Sequence, residues 1–220
     1  MECTLYMYSG SPAARPVLIV ADAIDLKLNR RNVNVPTGEH LSEWYSKINP
    51  LHTVPALDDN GKIVCDSHVI NTYIVDKYGK NDCLYPKDFY QRALVHQGII
   101  FDVENIFPVL KDICVRYVQK KINYLEPRTI QTVLDGYGLL ESMLKKTGWV
   151  ALDQITLADV SCYTTISSLN FHVPIKADIY PNVSNWMKRC AEISYFCNDS
   201  KHLEDFNNLM MSHNAKPYEY

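Results

Sequence analysis

Along the first eighty residues the apolar positions change period repeatedly, and each change marks an element. Thr4-Leu5-Tyr6-Met7-Tyr8 is rich in β-forming residues and predicts a strand, broken by Ser9-Gly10-Ser11-Pro12. From Pro12 the positions Val17, Leu18, Val20, Ala21 and Ile24 recur at helical spacing, with proline in the tolerated first turn. Residues 29–35 predict a second strand, and residues 41–48 a short helix stopped by Asn49-Pro50. Residues 54–57 and 62–65 flank Asp58-Asp59-Asn60-Gly61, a hairpin signal. Residues 67–78 then predict a helix closed by Gly79.

Beyond this βαβ-α-ββα order the hairpin signals stop. The stretch from Lys80 to Lys87 is polar and carries no period, so residues 81–88 are taken as a linker between an α/β unit, 1–80, and an all-helical unit, 89–220. Helical patterns cover residues 89–117, 128–146, 156–170, 182–193 and 202–213. Thr156-Leu157-Ala158-Asp159 opens the third of these with capping-box logic, Asp replacing Glu, and is folding chemistry rather than catalysis.

Composition narrows the class. The chain is 47% apolar and 21% charged with a formal net charge of −3, which gives no footprint for nucleic acid or an anionic membrane. No segment is apolar for long enough to cross a bilayer, and Met1-Glu2-Cys3-Thr4, with no basic region followed by an apolar run, gives no expectation of a secretory signal. The seven cysteines are odd in number and irregularly spaced, with no Cys-x-x-Cys pair. Neither a disulfide framework nor a metal site is expected, and reduced thiols in the cytoplasm are the simplest reading.

One stretch points to a ligand. In Asn49-Pro50-Leu51-His52-Thr53-Val54-Pro55-Ala56-Leu57 a proline opens the strand, which leaves the backbone N–H and C=O of Val54 free to bind something outside. The helix start at Asp66-Ser67-His68 adds free N–H groups and a hydroxyl suited to an anion. Together they suggest a peptide-like ligand held by backbone and helix-end contacts.

These elements, with Ser11-Pro12-Ala13-Ala14-Arg15, Gly38-Glu39-His40-Leu41, Asp66-Ser67-His68-Val69-Ile70, Leu84-Tyr85-Pro86-Lys87 and Ile155-Thr156-Leu157-Ala158-Asp159 in that order, resemble the cytosolic glutathione transferases. The closest likeness is to the insect delta and epsilon classes, and the Asp-Ser-His-x-Ile run favours epsilon. The resemblance implies a thioredoxin-like N-terminal domain and an all-α C-terminal domain. It also implies a homodimer using residues 67–78 and the start of the first long helix, and conjugation of glutathione to hydrophobic electrophiles, including insecticides. Glutathione would be the co-substrate, with no metal. A glutathione-binding carrier, or an isomerase or peroxidase for an endogenous lipid or steroid, is the alternative. The chain departs from the family in Ala13-Ala14, in Gly98 where many relatives carry arginine, and in Pro108 within a long helix.

By the same resemblance Ser11 is the activating residue. A free cysteine thiol titrates near pH ~8.5 and only its thiolate attacks. Lowering that value by about two units takes roughly 2.7 kcal/mol of selective stabilisation. A hydroxyl donor supplies about 1.5–3 kcal/mol, and a helix start at Pro12 roughly 0.3–1 more. His40 and His52 are candidates for the glycine carboxylate of glutathione. Val54 would pair with its cysteinyl backbone, turned by a cis Pro55. Asp66 would meet the γ-glutamyl ammonium, Ser67 its carboxylate, and His68 would be a weaker contact. In the long helix, Phe107, Leu110, Lys111, Cys114 and Val118 recur at three- and four-residue spacing and are expected to share one face. The family likeness sets that face opposite the thiol, with Gly10 and Val35 nearby, as the electrophile pocket. Pro108 is expected to kink the helix there.

Overall fold

The computed structural model describes residues 3–220. Strand β1 (Cys3–Met7) lies at the centre of a four-stranded sheet of order β2-β1-β3-β4. It pairs in parallel with β2 (Leu28–Asn32) and antiparallel with β3 (Ala56–Asp59), which pairs with β4 (Lys62–Cys65). The parallel pair is joined by helix α1 (Arg15–Ala23), whose residues from Arg15 to Ala21 are all buried. The hairpin closes on Asn60 and Gly61, both at positive φ (53° and 84°), the type I′ geometry that matches strand twist. Helix α2 (Glu43–Ser46) is a single turn, and α3 (Ser67–Tyr78) follows β4 directly. This is the thioredoxin-like arrangement.

Seven helices follow. They are α4 (Phe89–Phe101), α5 (Phe107–Val118), α6 (Pro127–Thr147), α7 (Leu157–His172), α8 (Pro181–Glu192), α9 (Ser194–Cys197) and α10 (Asp199–Ser212). Helix α7 is the axis of this half, buried at every residue from Leu157 through Leu169. At its start the capping box forms, and the buried Asp159 carboxylate also accepts from the Val150 N–H (2.9 Å) and the Trp186 indole (3.0 Å). Helix α4 packs closely on α7 because of Gly98: a Cβ there would stand 2.6 Å from the Ala158 methyl group. Among the described residues no helix is long and apolar enough to cross a membrane.

Several boundaries differ from the sequence reading. The second strand ends at Asn32, three residues early. Helix α10 starts three residues before the predicted 202, and α9 was not foreseen. Two differences bear on the site. Helix α1 begins at Arg15 and not at Pro12, because residues 12–14 form a turn in which the Ala14 N–H donates to the Ser11 carbonyl (3.1 Å). The expected long helix 89–117 is two helices joined by a π-helical turn (Asp102–Ile106), with the Phe107 N–H donating to the Asp102 carbonyl. Pro108 has no N–H to give to residue 104, and its ring clashes with that carbonyl in a regular helix, so the helix restarts just ahead of it.

A buried arginine ties the halves together. Arg15 has no exposed surface, and all five guanidinium N–H groups find acceptors. Nε donates to Asp199 Oδ1 (2.8 Å) and Nη2 to Asp199 Oδ2 and Ser167 Oγ. Nη1 donates to Ser168 Oγ and the Thr164 carbonyl. Helix α1 is thereby locked to α7 and α10.

Candidate active site

The sheet register gathers the predicted ligand residues at one end. Tyr6 pairs with Ala56 and Ala56 with Cys65, so the loop after β1, the Val54–Pro55 peptide and the Asp66–Ser67 step lie side by side beyond the last paired residues. The Val54–Pro55 peptide is cis. The loop before it is held from behind: the fully buried Asn49 donates from Nδ2 to the Thr53 carbonyl (2.8 Å) and accepts the Leu51 N–H (3.0 Å). The Tyr45 hydroxyl donates to the same Thr53 carbonyl (2.6 Å). Among the described residues nothing pairs with the Val54 backbone.

Ser11 sits half-buried in the loop after β1, its N–H donating to the Tyr8 carbonyl (3.0 Å). Among the described residues its hydroxyl has no partner, whereas the Ser9 hydroxyl is spent on the Asp205 carboxylate. Because α1 starts four residues later, the helix-dipole contribution expected at Ser11 is weaker than the sequence suggested, for it fades within the first turn. The hydroxyl is then the main donor. Gly10 is buried between Tyr8 and Leu209 of α10, where a Cβ would meet side-chain atoms of each at 3.1 Å.

The His52 ring reaches the backbone of His40 across the loop, with Nδ1 3.1 Å from the His40 carbonyl. A carbonyl only accepts, so Nδ1 carries the proton, and Nε2 donates to a carboxylate only from the imidazolium. Nδ1 of His40 is buried and has no partner among the described residues, and burial pushes that imidazole's pKa down.

Asp66 adopts φ 73°, ψ 126°, outside the ordinary wells for an L-residue, a conformation that costs about 1–3 kcal/mol. Its Oδ1 offsets this by accepting the His68 (2.9 Å) and Val69 (3.3 Å) N–H groups at the start of α3. The carboxylate is thus first a cap, with Oδ2 left to face a ligand. His68 differs from expectation. It is no loose ligand contact: Nδ1 lies 3.1 Å from Asp66 and Nε2 3.3 Å from Asp102, and the side chain is 11% exposed. Burial pushes its pKa down, but the carboxylates of Asp102 and Asp66 outweigh this and hold it at about 9. Asp102, buried in the π turn, also accepts the Ser161 hydroxyl of α7. Sequence reading missed Asp102, although a single acid inside Ile99-Ile100-Phe101-Asp102-Val103 is a visible signal that it has a buried partner.

The predicted electrophile face divides in two. Leu110 is fully buried with Ile113 and Tyr117 on the core stripe of α5, beside Ile106 of the π turn, so it does not line the cleft. Spacings of four, three and four residues keep Phe107, Lys111, Cys114 and Val118 together on the neighbouring stripe. Lys111 there is exposed, and the other three are half-buried. The Phe107 ring stands edge-on to His68 with centroids 6.0 Å apart, which brings this stripe to the start of α3. Val35, in a 3₁₀ turn, is half-buried. Two open pockets, of about 440 and 760 Å³, lie between α1, β2 and the α9–α10 segment, and none of these residues lines them. Among the described residues no cluster of His, Cys, Asp and Glu is arranged to hold a metal ion.

The chain is similar to known proteins along nearly its whole length. The profile of the family described as "Glutathione S-transferase, N-terminal domain" matches residues 5–82, and that of its C-terminal domain residues 108–193. Glutathione S-transferase 1 of Manduca sexta is 38% identical over 198 residues, covering 89% of this chain and 91% of that one. The epsilon-class glutathione S-transferase of the housefly, Musca domestica, superposes with a TM-score of 0.93 at 33% identity, covering 98% of this chain and all of the other. A glutathione transferase homologue from Drosophila mojavensis, solved with bound glutathione, superposes with a TM-score of 0.93 at 35% identity over 99% of this chain and 98% of its own. With relatives of this identity aligned along nearly the whole length, the chain belongs to the glutathione S-transferase family, in its insect delta/epsilon group.

Proposed function

We propose that the protein activates the thiol of glutathione at Ser11 and conjugates it to hydrophobic electrophiles, a detoxifying reaction whose substrates include insecticides. The observation that carries this reading is the unpartnered Ser11 hydroxyl at the sheet end where the Val54 edge and the Asp66–Ser67 helix start converge. Glutathione lies extended along Val54, its cysteinyl backbone pairing with the free N–H and C=O beside cis Pro55. Its γ-glutamyl ammonium meets Asp66 and its γ-glutamyl carboxylate meets Ser67 and the first N–H groups of α3. The glycine carboxylate meets His52, with His40 beside it. His68 acts from behind, holding Asp66 in place.

The Ser11 hydroxyl donates to the thiolate and so favours it over the thiol. The thiolate attacks the electrophilic carbon, a C–S bond forms and the leaving group departs with its electron pair. Phe107, Cys114 and Val118, with Val35 and Gly10 across from them, form the apolar wall for that substrate. Lys111 steers a nitro, phosphoryl or carbonyl group. No metal takes part. Residues 1–80 form the glutathione-binding unit, 81–88 the linker and 89–220 the helical unit that carries the second substrate.

The protein works as a cytoplasmic homodimer. All seven cysteines are free thiols, as in a reducing compartment. Val69 of α3 and Phe89, Tyr90 and Ile100 of α4 are between 49 and 91% exposed, an apolar patch suited to a second copy. The test is a spectrophotometric assay with glutathione and a halogenated nitroaromatic: saturable conjugate formation is expected, and glutathione retention without turnover would point instead to a carrier.

A further inference from the structure

The π turn and the first residue of α5 present to His68 two residues that a regular helix would not allow to meet the same group. Residues five apart are turned about 140° from each other around an α-helix. Yet Asp102 places its carboxylate 3.3 Å from His68 Nε2, and Phe107 stands edge-on to the same imidazole. The π turn makes this possible, because its hydrogen bond from the Phe107 N–H to the Asp102 carbonyl brings residue 107 back over residue 102. The turn repairs its own backbone in part: the Asn105 side-chain amide donates to the Phe101 carbonyl (3.1 Å). Both flanks are anchored, α4 against α7 at Gly98 and α5 through its core stripe of Leu110, Ile113 and Tyr117. The rotation between the flanks is therefore set inside the turn. Pro108 is the residue there that forbids a regular helix, and it is exposed.

We propose that Pro108 is a positioning residue: by enforcing the π turn it keeps Asp102 and Phe107 together on His68, and so sets the register between the glutathione half of the site and the electrophile wall. The inference rests on the proposed conjugation, and its test has a readout independent of activity. Pro108→Ala restores an N–H that can donate to the Glu104 carbonyl and removes the clash. The thermal midpoint of this variant is expected to stay the same or rise. The electrophile kcat/KM is expected to fall about tenfold or more, as small misplacements near a reacting centre do. In an NMR titration the His68 imidazole is expected to lose its proton at lower pH than in the wild type. A variant with unchanged kcat/KM and an unchanged His68 titration overturns the proposal. So does a variant that loses activity only in step with a lowered thermal midpoint. If the wild type fails to conjugate at all, the proposed function fails, and the His68 titration still decides the role of Pro108.

Discussion

Nε2 of His68 meets the buried carboxylate of Asp102 at 3.3 Å, joining the start of α3 to the π turn of the helical half. The imidazolium is the favoured form because Asp66 closes on the other ring nitrogen. The folded-state pKa of about 9 lies above the unfolded value, so the stabilisation is fully present below pH ~6.5 and is lost as pH rises through about 9. His68→Gln should flatten this part of the stability profile. Urea midpoints measured from pH 6 to 10 check it: the gap between wild type and variant should narrow as pH rises, and a constant gap contradicts the pairing.

Arg15 and Asp199 form a fully buried ion pair whose remaining donors are spent on Ser167, Ser168 and Thr164. Removing one partner strands the other charge, so Arg15→Met should cost about 3–5 kcal/mol. Arg15→Lys should rescue little, because an ammonium cannot reproduce the planar fork. Equilibrium urea unfolding gives the value, and a loss below ~1 kcal/mol on either change would show that solvent reaches the pair.

Asp66→Ala with Ser67→Ala should raise the glutathione Michaelis constant with a smaller effect on kcat, since these residues face the end of the ligand away from sulfur. Asp66→Ala alone also removes a cap, at about 0.5–2 kcal/mol of stability. Steady-state kinetics separates the two effects, and an unchanged glutathione affinity in the double variant would exclude both residues from the site.

Phe107 and Leu110 should respond in opposite ways. Phe107→Ala should raise the electrophile's Michaelis constant and leave that for glutathione alone. Leu110→Ala should cost about 2–5 kcal/mol of stability while keeping the substrate profile. A substrate panel run beside thermal unfolding reads both, and a Leu110 variant with altered specificity but normal stability would return that residue to the cleft.

The elements of the first half were legible because β-forming runs and helical spacings are separated by clear breakers, as at Ser9-Gly10-Ser11-Pro12, Asn49-Pro50 and Asn60-Gly61. The ordered motifs singled out Ser11, Val54 and Asp66, and the strand register sets these three at one end of the sheet. Three features lay beyond that reading. Arg15 looks like an ordinary charged residue until α7 and α10 surround it with acceptors. Leu110 and Phe107 both fit helical spacing, and only the partner helices decide which stripe is core. The π turn adds no residue type of its own, so Pro108 signalled a break without saying that Asp102 and Phe107 would be brought onto one face.

The central claim is that the Ser11 hydroxyl lowers the pKa of bound glutathione. The pH dependence of kcat/KM for a halogenated nitroaromatic, compared between wild type and Ser11→Ala, tests it most directly. The wild-type profile should show a thiol titrating well below pH ~8.5. The variant should bind glutathione nearly as well, move that limb toward the free-thiol value and lose about tenfold or more of the rate at pH 6.5. An alanine variant that keeps the wild-type profile and rate would contradict the account and leave the thiolate to another donor.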